Sequence, residues 1–162
     1  MTDTALLDIL RSVPDPEVPA ISIVDLGIVR DVVRETGGGV RVDVTPTYSG
    51  CPAMQLIERE IRTALTARGE GPVTVRTVYQ PAWTTDWMTD SARDTLRAYG
   101  IAPPGKAAVQ ELVPITPRRR TVACPFCGAT DTELRSEFGS TACKALHVCH
   151  ACRQPFEEFK AI

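Results

Sequence analysis

Five of the six cysteines fall between residues 124 and 152, and four of them form the pairs Cys124-Pro-Phe-Cys127 and Cys149-His-Ala-Cys152. Two C-x-x-C knuckles can bring four thiolates to one ion, the donor set that tetrahedral Zn²⁺ prefers. The 21 residues between the knuckles slightly exceed the spacing of about 15–20 common in zinc ribbons, an excess that one loop absorbs. Gly128 directly after the first knuckle suits a tight backbone turn, and Phe156 and Phe159 are candidates to cap a small sheet. A module of roughly forty residues buries little apolar surface, so bound metal is expected to supply most of its folding energy.

The same residues admit other chemistry. A mononuclear Fe(Cys)4 centre of the rubredoxin type needs the same ligands and stays open. A thioredoxin-type redox pair would have CPFC open a long helix, and the following GATDTEL offers none. Haem attachment needs C-x-x-C-H, whereas Arg153 follows Cys152. His147 and His150 are surplus to a four-sulfur site and read as surface residues or outer supports of it. Cys143, in Phe138-Gly-Ser-Thr-Ala-Cys-Lys-Ala-Leu, reads either as a small packing residue or as a surface thiolate. In the second case Lys144 lowers its pKa, and it contacts a metal cluster or a partner.

Cys51 stands apart, in Thr45-Pro-Thr-Tyr-Ser-Gly-Cys-Pro52 between an expected strand and an expected helix. The free N–H groups and dipole of a helix N-terminus stabilise an anion, so Cys51 is a candidate low-pKa thiolate; the bland alternative is a small buried residue. Asp15-Pro-Glu17-Val-Pro19 and Asp25-Leu-Gly27 place acids in a Pro-rich loop. They form either a polar site near Cys51 or turn and capping groups. Trp83 and Trp87 share the segment Pro81-Ala-Trp-Thr-Thr-Asp-Trp-Met88. A patch of this kind packs over the sheet edge, anchors a partner, or does both.

The elements that must position these groups follow from periodicity. Leu6, Leu10 and Val13 recur at helical spacing until Pro14 and Pro16 stop the helix. Residues 28–33 are β-branched and read as a strand, Gly37-Gly38-Gly39 as a hairpin turn, and residues 40–44 as an alternating strand. Met54, Ile57, Ile61 and Leu65 mark an amphipathic helix ending near Gly69. Residues 73–78 alternate as a third strand, and a last helix runs from about Thr89 to Tyr99, closed by Gly100. The order α-β-β-α-β-α implies an α+β, two-layer domain with a small mixed sheet. It is expected over residues 1–102, followed by a Pro-rich linker over 103–120 and a zinc-ribbon-like module over 121–162.

Length and composition bound the rest. The chain has 162 residues, 43% hydrophobic and 23% charged, which describes a folded soluble protein. Eighteen basic against twenty acidic residues leave no basic excess for a nucleic-acid partner. No apolar run approaches the roughly 18–20 residues of a membrane span. The opening MTDTALLDILRSVPDPE carries acids where a signal peptide needs positive charge. The expectation is a cytoplasmic protein whose cysteines are thiols or metal ligands. The chain carries no E-x-x-H di-iron set, no nicotinamide or flavin fingerprint and no nucleophile–base pair, which argues against a catalyst.

DPEVPAISIVDLGIV, TYSGCP and PAWTTDWM resemble the small domain family associated with iron–sulfur cluster assembly, to which SufT-like proteins belong, over roughly residues 1–102. With CPFCG, FGSTACKAL and CHAC added, the whole chain resembles the D (or J) subunit family of bacterial phenylacetyl-CoA epoxidase systems. The resemblance implies an accessory protein of aerobic phenylacetate degradation that helps mature or load iron or Fe–S centres. It implies the oxygenase and reductase subunits as partners and leaves a homodimer open. It carries a transient Fe or Fe–S cargo onto Cys51, with Asp25 nearby and Cys143 as a further candidate. It carries Zn, or alternatively Fe, onto Cys124, Cys127, Cys149 and Cys152. The competing implication is a stable structural or electron-transfer component with Fe at those four cysteines.

Overall fold

The computed structural model describes residues 2–105 and 121–162, so most of the expected linker lies outside the described residues. The chain divides into two compact units, Met1–Ala92 and Arg93–Ile162. Among the described residues no helix is long and apolar enough to cross a membrane.

In the first unit, α1 (Thr4–Leu10) starts where the Asp3 carboxylate accepts the free N–H groups of Ala5 and Leu6. Strands β1 (Val29–Arg34) and β2 (Val40–Val44) pair antiparallel. Their turn closes through Gly38 at φ +84°, a conformation that costs a residue with a Cβ. Helix α2 (Met54–Ala67) carries the chain over to β3 (Val73–Thr77), which lies parallel to β2. The sheet order β1-β2-β3 is therefore mixed, as the element order required.

Alternation decides the two faces of this sheet. Val32, Val40, Val42 and Val44 are buried together with Leu6 and Leu10 of α1 and Ile57, Ile61 and Leu65 of α2. Each fully buried Leu or Ile contributes about 1.5–3 kcal/mol. The opposite face is polar: Arg76 holds Asp43 with two bonds of 2.9 Å, and Arg41 reaches Asp31 at 3.5 Å.

Helix α3 (Asp90–Ala98) ends at Gly100, φ +86°. The second unit is a four-stranded sheet of order β4-β7-β6-β5, made of β4 (Ile101–Ala102), β5 (Thr132–Ser136), β6 (Lys144–Cys149) and β7 (Pro155–Phe159). Strand β6 pairs antiparallel with both β5 and β7, and β4 lies parallel to β7. Ile101 and Ala102, which the expected domain boundary before the Pro-rich stretch places in the first domain, pair with β7 in the second unit's sheet. Ala102, Val122, Cys124, Cys149 and Phe156 form its small core.

Candidate functional site

The two knuckles share one backbone design. Gly128 N–H donates to Cys124 O and Arg153 N–H to Cys149 O, at 2.9 and 3.0 Å. Cys124 N–H donates to Ala129 O and Cys149 N–H to Gln154 O. The residue after each second cysteine is left-handed, Gly128 at φ +75° and Arg153 at φ +64°. Glycine takes that conformation freely, whereas arginine holds it only because the knuckle demands it.

The design converges four sulfurs within 4.8 Å of one another. Cys124 Sγ lies 3.7 Å from Cys152 Sγ, and Cys127 Sγ 3.6 Å from Cys149 Sγ. A tetrahedron with metal–sulfur bonds of about 2.3 Å has edges of about 3.8 Å, so the donor set fits a tetrahedral metal ion. Cys124 and Cys149 are buried, Cys152 is half-buried and Cys127 is exposed. The N–H of Cys152, with that of Ala151, brings the Cys149 thiol down to about 7. Gln154 N–H favours the Cys152 thiolate, but burial and the three neighbouring sulfurs push that thiol up to about 12. Ala129 N–H does the same for Cys127, and burial with the Cys149 and Cys124 sulfurs raises it against the opposing Cys152. Four sulfurs crowded like this resist a shared negative charge, and a bound cation removes that resistance by displacing their protons.

Cys51 does not sit in the helix it was expected to open. The first bond of α2 runs from Ile57 N–H to Ala53 O, with Ala53 as N-cap, so Cys51 lies upstream in a turn behind Gly50 (φ +81°). Burial raises its thiol pKa. Ala53 N–H and the Tyr48 side chain bond the sulfur and oppose that rise, while the Glu17 and Asp15 carboxylates add to it. The net direction is upward, which corrects the expected low-pKa thiolate: burial favours the neutral thiol of the half-buried Cys51, and the charge of two carboxylates adds to this. At the start of the same turn Thr45 is buried, and its hydroxyl oxygen makes no hydrogen bond among the described residues.

Asp15 and Glu17 are therefore the acids whose charge reaches Cys51. Asp15 also caps its own loop, accepting from Glu17 N–H and Val18 N–H at 3.0 and 2.8 Å. Asp25 is engaged elsewhere: Ser22 donates to it at 2.8 Å and Arg11 at 2.7 Å. The Asp25-Leu26-Gly27 backbone is gripped by the tryptophan segment. Thr89 N–H donates to Asp25 O at 3.0 Å, and Trp83 Nε1–H to Leu26 O at 3.2 Å. A Cβ built on Gly27 would lie 2.8 Å from Trp87 O. Trp83 is buried and packs within the unit, which removes it as an exposed anchor. Trp87 is half-buried, with the Arg30 guanidinium 3.5 Å above its ring centroid.

Cys143 is buried, with its sulfur 3.1 Å from Thr141 Oγ1, so the surface-thiolate alternative does not hold. Lys144, expected to act on that thiol, places its ammonium 3.3 Å from Glu157. His147 is buried rather than superficial. Its Nε2 lies 2.9 Å from Glu158 Oε2, and its ring stacks on Phe156. His150 is exposed, 3.5 Å from Glu133. Sequence reasoning missed Glu157 and Glu158, and the one signal available was the acidic pair set between two buried phenylalanines.

Comparison with known proteins follows the division of the chain. The family model of the iron–sulfur cluster assembly protein matches residues 3–78, and that of the PaaD zinc beta ribbon domain matches residues 111–160. A crystal structure of a domain of unknown function, DUF59, from Bacillus anthracis aligns with a TM-score of 0.54 and 28% identity, covering 57% of this chain and 89% of that one. An Fe-S protein maturation auxiliary factor of Porphyromonas gingivalis is 32% identical over 92 residues, 56% of this chain and 87% of its own length. The D subunit of 1,2-phenylacetyl-CoA epoxidase from Escherichia coli (strain K12) is 50% identical over 155 residues, 95% of this chain and 90% of its own. Identity of that extent spans both units and both cysteine sites, and the chain belongs to the family of phenylacetyl-CoA epoxidase D subunits.

Proposed function

We propose that the chain is an accessory factor of a phenylacetyl-CoA epoxidase system that delivers iron, free or as an Fe–S species, to the oxygenase or reductase. Cys51 is the cargo ligand in this reading. The observation that carries it is the setting of that sulfur: a half-buried thiol, bonded by Ala53 N–H and Tyr48, within reach of the negative charge of Glu17 and Asp15. Such a group is protonated at rest and attracts a cation that displaces the proton. The thiolate then stays bound only while the metal compensates the nearby negative charge, which suits temporary holding. The likeness of residues 3–78 to the iron–sulfur assembly family, and of a 92-residue stretch to an Fe-S protein maturation auxiliary factor, supports the same reading.

The four-cysteine module binds Zn²⁺ in this proposal and serves as a docking unit that the metal holds folded. Oxygenase and reductase co-produced with the wild-type chain or with Cys51→Ser, and purified without oxygen, test the cargo role through iron and acid-labile sulfide per partner. The variant is expected to stay folded and to lower partner iron; normal loading refutes the role of Cys51. One Zn²⁺ per chain and a colourless, redox-silent protein are expected for the ribbon. Iron without sulfide at that site would replace the docking reading with electron transfer.

A further inference from the structure

The two knuckles differ at one equivalent position: Gly128 follows the first at φ +75°, and Arg153 follows the second at φ +64°. The left-handed conformation carries a cost for a residue with a Cβ that glycine escapes, and such strain gathers at functional sites. The backbone bonds of the knuckle explain the conformation, but they do not explain an arginine in it. The Arg153 side chain is exposed and makes no ion pair or hydrogen bond among the described residues. The other arginines and lysines described in the second unit are all engaged. Arg93 donates to Pro104 O at 2.8 Å and Lys160 to Glu137 O at 3.0 Å, while Arg97, Arg135 and Lys144 pair with Asp94, Glu133 and Glu157.

Phe126 is the aromatic counterpart in the first knuckle. It is 56% exposed, yet its ring is supported from one side by Gly100, where a Cβ would lie 3.0 Å from two ring carbons. Phe126 precedes the exposed Cys127 and Arg153 follows Cys152, and the sulfurs of those two cysteines lie within 4.8 Å of each other. Both side chains therefore belong to the metal-binding end of the module.

We infer that Phe126 and Arg153 form a docking surface at the metal-binding end of the ribbon, for a protein partner that presents a carboxylate beside an apolar pocket. The inference rests on the reading of the ribbon as a docking unit and names the end that docks. Aromatic residues and arginine are enriched among the few side chains that dominate protein interfaces, and the guanidinium fork matches a carboxylate with two parallel bonds. One free cation, in a chain of formal charge −2, does not supply the series of phosphate contacts that a nucleic acid requires.

Titration calorimetry of the metal-loaded full chain against purified oxygenase and, separately, purified reductase tests this. Wild type is expected to bind one of them. Arg153→Gly is expected to weaken that binding about ten-fold or more, with metal content unchanged and a melting temperature that holds or rises, because glycine relieves the left-handed backbone. Arg153→Lys keeps the charge without the fork and should recover part of the loss. Phe126→Ala should weaken binding by a similar factor with the metal retained. Added salt should weaken wild type more than Arg153→Gly. A wild type that binds neither partner overturns the docking reading and this inference together. Binding that both variants leave unchanged overturns the inference alone, and so does binding that is lost only where metal or fold is lost. Tighter binding of a single-stranded oligonucleotide, lost in Arg153→Gly, would replace the protein partner by a nucleic acid.

Discussion

Replacing Gly27 by alanine is expected to destabilise the first unit by about 2–5 kcal/mol, the sum of two separate penalties. Gly27 has φ +81°, and the left-handed region costs a residue with a Cβ about 1–2 kcal/mol. The new Cβ would also lie 2.8 Å from Trp87 O, 2.9 Å from its Cβ and 3.0 Å from its carbonyl carbon. Two of those atoms are backbone and cannot swing aside, so forcing a methyl group in costs a further 1–3 kcal/mol or so. Gly38→Ala separates the terms, because Gly38 has φ +84° but nothing within 4 Å of the position a methyl group would take. It should lose only the first penalty of about 1–2 kcal/mol. Trp83 and Trp87 are the chain's two tryptophans and both lie in the first unit, so their fluorescence in urea reads that unit alone. The midpoint is expected to fall for both variants at unchanged slope, and further for Gly27→Ala. Equal losses would show that the approach of Trp87 to Gly27 contributes nothing and would refute the reasoning.

Three other outcomes follow from the charges and sulfurs. Because its pKa is raised, Cys51 should alkylate more slowly than free cysteine at neutral pH and reach its full rate only at a higher pH than free cysteine does; Glu17→Gln should speed it, and a native rate above that of free cysteine would contradict the raised thiol. The Arg76 guanidinium bonded to Asp43 holds that carboxyl below its ordinary value. Its stabilisation is therefore present above the unfolded pKa and lost as pH falls through the folded one. Asp43→Asn should flatten the loss of first-unit stability between about pH 5 and 2, and an unchanged slope would reject the pair as its source. Stripping the ribbon of metal should abolish hydrogen-exchange protection in β5, β6 and β7 while tryptophan fluorescence stays native; retained protection would show that the strands fold without the ion.

The first sheet and the four-cysteine site were legible because both depend on local pattern. The alternation of Val40, Val42 and Val44, the i, i+3, i+4 spacing of Ile57, Ile61 and Leu65, and the paired C-x-x-C knuckles need no knowledge of distant contacts. What was illegible depends on register and on where loops travel. His147 meets Glu158 only because β6 and β7 pair with Ala145 opposite Glu158 and His147 opposite Phe156. Two residues, Ile101 and Ala102, are too short a stretch to announce a strand, and β7 alone makes them one. The thiol of Cys51 is raised first by its burial, which outweighs the bond from the N-cap of the helix after it, and the acids that add to the rise lie more than thirty residues earlier in the chain. Trp83 and Trp87 read equally well as packing and as anchors in a sequence that does not show the Asp25–Gly27 backbone beneath them.

The grip of residues 83–89 on Asp25, Leu26 and Gly27 determines where the chain can be cut. The segment that matches the iron–sulfur assembly family ends at residue 78, before any of the gripping groups. A fragment ending there would present the Leu26 carbonyl without its Trp83 donor, the Asp25 carbonyl without Thr89 N–H, and a bare face at Gly27. A fragment ending at residue 92 keeps all three. Separation of the two units by truncation, or transplantation of the Cys51 turn into another protein, therefore has to carry the tryptophan segment along.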